Sequence, residues 1–279
     1  MRKTLLLIPF IRLLLTDTRA FLKALYHFTV IRDARRRVIR SYGLADGLPS
    51  VDLLDLVPDL DQEVHDYTYL EGTSRTIDIA FIKAMCAQRR GCRYLEIGSW
   101  RGESLKNAAE VSDECYSVSL SDDEMRAAGF HKEIAFQRLF SKNLPNVHHI
   151  AQSSLTFDFE SLQKKFDVIF IDGDHSYEAV KKDTETSFRL LKDDSSVIIW
   201  HDNGIETPNW PVVAGILDGS PPEALSHLYS VTNTLCAIYY RGEIRSELLP
   251  APQTPNKVFS VHVVARGMDA APATLQQAG

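Results

Sequence analysis

Two apolar runs in the second half of the chain end in side chains that can bind a metal ion. The run VIFI is followed at once by Asp172, and the run VIIW is followed by His201, Asp202 and Asn203. Because neighbouring parallel strands bring their carboxyl ends to one edge of a sheet, we expect Asp172, Asp202 and Asn203 to converge. Oxygen ligands of this kind suit Mg²⁺, which takes one or two carboxylates and keeps several waters. His201 is either a fourth metal ligand or a packed, hydrogen-bonded histidine.

A glycine motif, E-x-G-x-x-x-G, extends from Glu96 to Gly102 at the end of an earlier apolar run. Gly98 lets the backbone turn sharply and approach a ligand, and Gly102 lets the next helix begin close to the strand. The spacing differs from the G-x-G-x-x-G pattern of dinucleotide-binding folds. The motif indicates either a ligand-binding loop or an ordinary strand-to-helix turn, and its spacing alone leaves both open.

From residue 93 onward, short apolar runs alternate with amphipathic segments of helical length, which is typical of βα units and a parallel sheet. The predicted strands are Arg93–Ser99, Cys115–Leu120, Val147–Ser153, Phe166–Asp172 and Ser196–His201. Two later segments, Leu228–Arg241 and Lys257–Arg266, have no helix between them and are expected to pair as an antiparallel edge hairpin. The sequence therefore predicts an α/β, Rossmann-like doubly wound sheet that is mostly parallel, together with a helical N-terminal segment.

The first 40 residues are predicted to be helical and are strongly basic. They carry ten Lys or Arg against Asp17 and Asp33. This helix either packs on the domain or on a second copy of the chain, or it lies in the plane of a membrane, where its basic residues would meet anionic head groups. A cleaved signal peptide is a further interpretation, which Arg12 opposes because it interrupts the apolar run. The run is also too short to span a bilayer.

Composition and charge narrow the class of protein. The chain has 279 residues, of which 44% are hydrophobic and 24% charged, as in ordinary globular proteins. Its formal net charge of −6 provides no general attraction for nucleic acid. The four cysteines, Cys86, Cys92, Cys115 and Cys236, form no C-x-x-C pair, so neither a disulfide framework nor a zinc site is predicted. A reducing, cytoplasmic location fits this cysteine usage best.

The stretch IDGDHSYE…IIWHDN and the glycine motif together resemble the class I S-adenosylmethionine-dependent methyltransferases, over about residues 70–241. The stretch is especially similar to the bacterial group near macrocin O-methyltransferase and cephalosporin hydroxylase-like proteins, and its spacing also aligns with catechol O-methyltransferase. The resemblance implies that Asp172, Asp202 and Asn203 bind Mg²⁺. It also implies that His175, three positions after the first metal-binding acid, is the general base.

The resemblance further implies a binding site for S-adenosylmethionine. The residues implied to line it are Glu96, Gly98, Ser99, Gly102, Ser119, Gln152, Ser153 and Asp172. Related enzymes usually end the second strand with an acid that takes both ribose hydroxyls, whereas the matching position here is Ser119, with Asp122 and Asp123 a few residues later. The segment 69–73 precedes the first core helix, where related enzymes place a segment that closes over the cofactor.

The chain divides, in this interpretation, into three parts. Residues 1–66 form a helical segment that acts as a lid, a dimer interface or a membrane contact, residues 67–266 form the class I methyltransferase domain, and residues 267–279 form a disordered tail. Any membrane contact through residues 1–40 would be peripheral and on the inner face.

The leading hypothesis is an Mg²⁺-dependent O-methyltransferase that acts on a hydroxyl group of a small molecule, either a sugar or a secondary metabolite. One alternative is a catalytically inactive scaffold with the same fold in a surface-polysaccharide pathway, which Ser119 in place of the ribose-binding acid would explain. Another alternative is a metal-dependent hydroxylase that uses His175, His201 and Asp172, since non-haem iron oxygenases usually use two histidines and one carboxylate.

Overall fold

The computed structural model describes residue 14, residues 16–249 and residues 254–268. Within these residues, nine strands form one sheet. The strands are β1 Ser50–Val51, β2 Arg93–Ile97, β3 Glu114–Ser119, β4 Val147–Ala151, β5 Val168–Ile171, β6 Val197–Trp200, β7 Leu228–Val231, β8 Ala237–Tyr239 and β9 Ser246–Glu247. The helices are α1 Thr18–Tyr42, α2 Leu53–Leu56, α3 Thr76–Ala87, α4 Glu103–Ala109, α5 Asp122–Ala127, α6 Tyr177–Leu190 and α7 Trp210–Gly219.

The strand order is β4-β3-β2-β5-β6-β8-β7-β1-β9. Strands β2 to β6 are parallel and correspond to the five strands predicted from the apolar runs. Every residue of β5 and β6 is buried, because helices cover both faces of the sheet. The chain therefore has the predicted α/β, Rossmann-like doubly wound fold with an antiparallel edge.

The edge hairpin forms, but the two predicted strands are not its partners. The predicted strand 228–241 is interrupted at Asn233, where φ is +67°, and the antiparallel pair consists of β7 and β8 on either side of this turn. The second predicted strand, 257–266, has no regular secondary structure. Its valines are exposed, since β1 and β9 already continue the sheet beyond β7. The prediction of a strand at 257–266 is therefore wrong.

Two hydrophobic layers enclose the sheet. Side chains of α1, α6 and α7 pack on one face, and those of α2, α3 and α4 pack on the other. Adjacent residues of β2 alternate between them: Leu95 joins the first layer and Tyr94 the second. The indole of Trp200 lies in the first layer and donates to the Thr184 hydroxyl at 2.8 Å, so it is a core residue.

The second half of α1 is part of the domain. Val38 is fully buried against the α6–α7 layer, and the guanidinium of Arg35 lies 5.3 Å from the ring centroid of Trp210. Asp218 in α7 accepts hydrogen bonds from the hydroxyl of Tyr42 at 2.6 Å and from that of Tyr177 at 2.7 Å. Residues 43–66 contribute β1 and α2 to the sheet and its second layer.

The predicted division of the chain at residue 66 stays a prediction. Residues 1–13 of the N-terminal segment and residues 269–279 of the predicted tail lie outside the described residues. None of the helices in the described part of the chain combines the length and apolar character needed to cross a bilayer.

We expect Asp218→Ala to lower the free energy of unfolding by about 2 kcal/mol, because the hydroxyls of Tyr42 and Tyr177 lose their shared acceptor. Urea unfolding followed by circular dichroism measures the change. Asp194→Ala is the matched control, since among the described residues Asp194 forms an ion pair with Arg241 alone, at the surface, and should contribute little. Equal effects of the two substitutions would mean that the Asp218 cluster does not hold α1 to α7.

Candidate active site

The candidate site lies where the strand order reverses, between the carboxyl ends of β2 and β5. The two ends are joined by a hydrogen bond from the amide of Asp172 to the carbonyl of Ile97 at 2.8 Å. Gly98 follows β2 with φ of +103°, and a Cβ atom there would overlap the backbone of Asp172 and Gly173. Open α/β sheets bind their ligands in the crevice at this switch point.

A cavity of about 350 Å³ opens above these strand ends, which is within the range of small-molecule sites. Its walls come from the segment before α3, the glycine loop and the ends of β5 and β6. The predicted site residues in its lining are Glu96, Gly98, Gly102, Asp172, His175, His201 and Asp202. The predicted residues Ser99, Ser119, Gln152, Ser153 and Asn203 are not part of the lining.

Two carboxylates and two imidazoles meet at one end of the cavity. The Nε2 atom of His175 lies 2.9 Å from a carboxylate oxygen of Asp202 and 3.8 Å from one of Asp172. The Nδ1 atom of His201 lies 3.1 Å from Asp172 and 3.2 Å from Asp202. Asp172, His175 and Asp202 each offer one ligand atom, and these atoms lie within 4.8 Å of one another. Three of the residues singled out from the sequence therefore form a group that can hold a metal ion.

Local backbone geometry places these side chains. His201 continues β6 and donates its amide to the carbonyl of Ile171 at 2.9 Å, which sets it beside Asp172. Asp202 then adopts a φ of +54°, a left-handed conformation that aspartate tolerates better than most residues. This turn ends the strand and leaves the Asp202 carboxylate against the two histidines.

Asn203 was predicted as a metal ligand, and the structure places it just beyond this group. Its side-chain amide donates to the hydroxyl of Ser230 at 2.8 Å, while its Oδ1 atom is buried without a hydrogen-bond partner among the described residues. Its amide oxygen is therefore free to accept a ligand, and its role in metal binding stays a prediction.

The sequence reading missed Asp78, a third carboxylate behind the site. Asp78 lies in the first turn of α3 and is 0% exposed. One oxygen lies 3.1 Å from Nε2 of His201 and accepts the amide of Arg75, and the other accepts the amide of Leu235. These contacts hold the His201 ring with Nδ1 toward Asp172 and Asp202. The available signal was the one acid in the mostly apolar run TIDIAFIKAMCA.

Charge coupling shifts the pKa values of the whole cluster. The neighbouring carboxylates of Asp172 and then Asp202 raise the pKa of His175 to about 10. Burial opposes the charged form of His201, but the carboxylate of Asp172 outweighs it and raises the pKa of this imidazole. Burial likewise opposes ionisation of Asp202, yet bonds from the two histidines keep its pKa below the usual range. At neutral pH the cluster thus contains ionised carboxylates and protonated imidazoles.

The glycine loop is covered by the segment that precedes α3. Glu103 accepts the amide of Thr68 at 2.9 Å, and the guanidinium of Arg101 donates to the carbonyl of Glu71 at 3.0 Å. Arg101 also pairs with Glu103 at 3.2 Å and stacks on the ring of Trp100. Ser74, which the sequence reading did not single out, donates to Asp172 at 3.1 Å. The covering segment is therefore tied to both the glycine loop and the acidic group.

The carboxyl ends of β3 and β4 lie together at the other side of the glycine loop. The amide of Gln152 donates to the carbonyl of Ser119 at 2.9 Å. The hydroxyl of Ser119 is buried without a hydrogen-bond partner in the described part of the chain. The nearby acid that bonds here is Glu124, which accepts the amides of Ser121 and Ser153. The structure thus groups Ser119, Gln152 and Ser153, as the sequence implied, but away from the cavity lining.

Residues 95–203 match the family model described as a methyltransferase domain. This segment of the chain is similar to a methyltransferase domain. The matched segment begins in β2 and ends at Asn203, so it includes the glycine loop and the acidic group. The match agrees over this segment with the methyltransferase resemblance predicted from the sequence, and it leaves the macrocin and catechol subgroups as a prediction.

Several solved methyltransferase structures are similar to this chain at low identity. The SAH-bound methyltransferase PaMTH1 of Podospora anserina is 16% identical, with 73% of this chain and 94% of that chain covered and a TM-score of 0.42. The O-methyltransferase from Bacillus cereus in complex with SAH is 20% identical, with 67% and 88% covered and a TM-score of 0.40.

The SAM-bound amino pentose methyltransferase CalS10 from Micromonospora echinaspora is 18% identical, with a TM-score of 0.35. The alignment covers 49% of this chain and 58% of CalS10, so this chain spans little more than half the length of that relative. A search of the curated proteins gives no match.

Glu96 makes the stability of the methyltransferase domain depend on pH. Burial raises its pKa from 4.5 to about 7, and the hydrogen bonds from Tyr94 and Ser104 do not cancel this effect. The folded state therefore holds the proton more tightly than the unfolded state. This contribution to stability is complete below pH 4.5 and is lost as the pH rises through 7.

We expect Glu96→Gln, which imitates the protonated acid, to remove this loss. Between acidic and mildly alkaline pH, the free energy of unfolding of the variant should increase relative to that of wild type by on the order of 3 kcal/mol. Urea unfolding at a series of pH values measures the difference. A difference between the two proteins that does not change with pH would show that Glu96 ionises normally.

Proposed function

We propose that the protein is an S-adenosylmethionine-dependent O-methyltransferase that uses a divalent cation, Mg²⁺, to hold the acceptor hydroxyl. The acceptor we propose is a small molecule, a sugar or a secondary metabolite. The observation that carries this proposal is the group formed by Asp172, His175 and Asp202, which lines the switch-point cavity of a methyltransferase domain.

Two features of the cavity fit S-adenosylmethionine. The acidic side chains of Glu96, Glu103 and Asp172 contribute to its walls, and they suit the positive charges of this cofactor. The unpartnered hydroxyl of Ser119 at the end of β3 would gain a partner from a ligand hydroxyl, as buried polar groups normally require. When bound, the cofactor supplies an electrophilic methyl group on its sulfonium. Trp100 and residues 72–74 would exclude water from the same space.

The donor set fits a hard divalent cation. Asp172 and Asp202 supply two carboxylates, the number that Mg²⁺ commonly takes from a protein. The group of Asp172, His175 and Asp202 contains two carboxylates and one histidine, whereas iron oxygenases usually use two histidines and one carboxylate. This composition favours the methyltransferase over the hydroxylase hypothesis. When bound, the cation lowers the pKa of an acceptor hydroxyl and orients it.

His175 is the residue best placed to take the hydroxyl proton. Its half-exposed ring lines the cavity, and Nε2 lies 2.9 Å from Asp202. With a pKa of about 10 the ring is already protonated at neutral pH. His175 can therefore act as a base only when another positively charged group compensates the negative charges of Asp172 and Asp202 in place of the proton on His175. Asp78 and His201 would hold the two carboxylates in position during this change.

Calorimetric titration with S-adenosylmethionine tests cofactor binding. We expect saturable binding, and we expect Ser119→Ala to weaken it about fivefold, because one hydrogen bond is lost. Ser117→Ala is the matched control, since Ser117 also has a buried, unpartnered hydroxyl but lies two residues further from the strand end. No binding by the wild-type protein would contradict the proposal and favour the inactive scaffold.

Electron paramagnetic resonance with Mn²⁺ as the probe tests the cation site. We expect Asp172→Asn and Asp202→Asn each to weaken Mn²⁺ binding at least about tenfold, because even partners that only support metal ligands have effects of this size. Asp174→Asn is the control, since this exposed carboxylate bonds, within the described part of the chain, to the amide of Ser176 alone. Wild-type affinity in both site variants would overturn the metal-dependent mechanism.

A further inference from the structure

The first half of α1 is rich in large apolar residues, and most of them are exposed. Phe21 is buried, but every residue from 22 to 28 is exposed. The exposed fractions are 55% for Leu22, 46% for Leu25, 72% for Tyr26 and 61% for Phe28. A contiguous apolar surface of this kind is unusual on a soluble protein and marks an interaction site.

The apolar residues share one helical face with a row of arginines. Positions 22, 25, 29, 32, 36 and 40 are three or four residues apart, so they follow one another along the same side of α1. We call this row the α1 stripe. Its first half presents Leu22 and Leu25, and its second half presents Arg32, Arg36 and Arg40, all of them exposed.

The charge of α1 is opposite to that of the rest of the chain. The helix carries seven Lys or Arg against one acid, Asp33, while the whole chain has a net charge of −6. Arg37 is held by Asp218 and Arg35 stacks on Trp210, but the stripe arginines contact no acid other than Asp33 among the described residues. Arg36, Arg37 and Arg40 also line a shallow surface pocket.

We propose that the α1 stripe binds an anionic lipid surface, with the helix in the plane of the membrane. Leu22, Leu25 and Phe28 would enter the boundary between head groups and acyl chains, and Arg32, Arg36 and Arg40 would contact lipid phosphates. A second copy of the chain fits the stripe less well, because pairing two stripes brings like charges together. In this arrangement the second half of α1, which packs against α7, connects the domain to the membrane-bound first half of the helix. This proposal does not depend on the methyl donor or the metal.

Co-sedimentation of the full chain with vesicles tests the proposal. We expect binding to vesicles that contain phosphatidylglycerol, weaker binding to vesicles of phosphatidylcholine alone, and a decrease with added salt. The triple substitution Arg32→Glu, Arg36→Glu and Arg40→Glu should weaken binding at least about tenfold. The double substitution Leu22→Asp and Leu25→Asp should weaken binding to a similar degree.

Matched controls separate the stripe from a general effect of charge or hydropathy. Arg90→Glu and Leu155→Asp change exposed residues elsewhere and should leave vesicle binding unchanged. Circular dichroism checks that each variant is folded. Vesicle binding that the stripe variants do not alter would overturn the proposal. A dimer in light scattering that Leu22→Asp and Leu25→Asp convert to a monomer would also overturn it, and would make the stripe a contact between copies.

Discussion

The negative charge that accumulates where β5 and β6 end constrains the whole active site. Asp172 and Asp202 lie on adjacent strand ends, and Asp78 lies behind them in α3. Three carboxylates in a partly buried space are unfavourable unless positive charge or hydrogen-bond donors compensate them. His201 lies among all three, and His175 bonds to Asp202 from the open side of the cavity. The raised pKa values of the two imidazoles follow directly from this arrangement.

The two histidines have different roles in this arrangement. His201 is buried and its Nε2 atom is held by Asp78, so it behaves as a structural element of the site. His175 is half exposed and can lose its contacts without opening the core. If another positively charged group takes the place of the His175 proton, the chemistry of the site changes. The buried residues around His201 then keep their positions.

The glycine motif is required by the packing of the protein itself as well as by a ligand. A Cβ at Gly98 would meet the backbone after β5, and a Cβ at Gly102 would meet the side chain of Ser141. Both glycines also have positive φ angles. The motif thus brings β2 and β5 close enough to form the switch-point cavity. The covering segment, through Thr68, Glu71 and Ser74, then closes that cavity against the glycine loop and Asp172.

The amino-acid sequence alone determined where the five parallel strands lie along the chain and predicted that Asp172 and Asp202 meet. Both follow from local patterns, because an apolar run of strand length defines where its strand ends and parallel strands end at one edge. Only the tertiary structure decided that Asp78 faces His201, that the edge hairpin turns at Asn233, and that segment 257–266 stays outside the sheet. These three features depend on which segments, distant from one another in the sequence, occupy the same sheet edge or cavity. Asp78 is 123 residues from His201, and no local sequence pattern indicates a contact between residues so far apart in the chain.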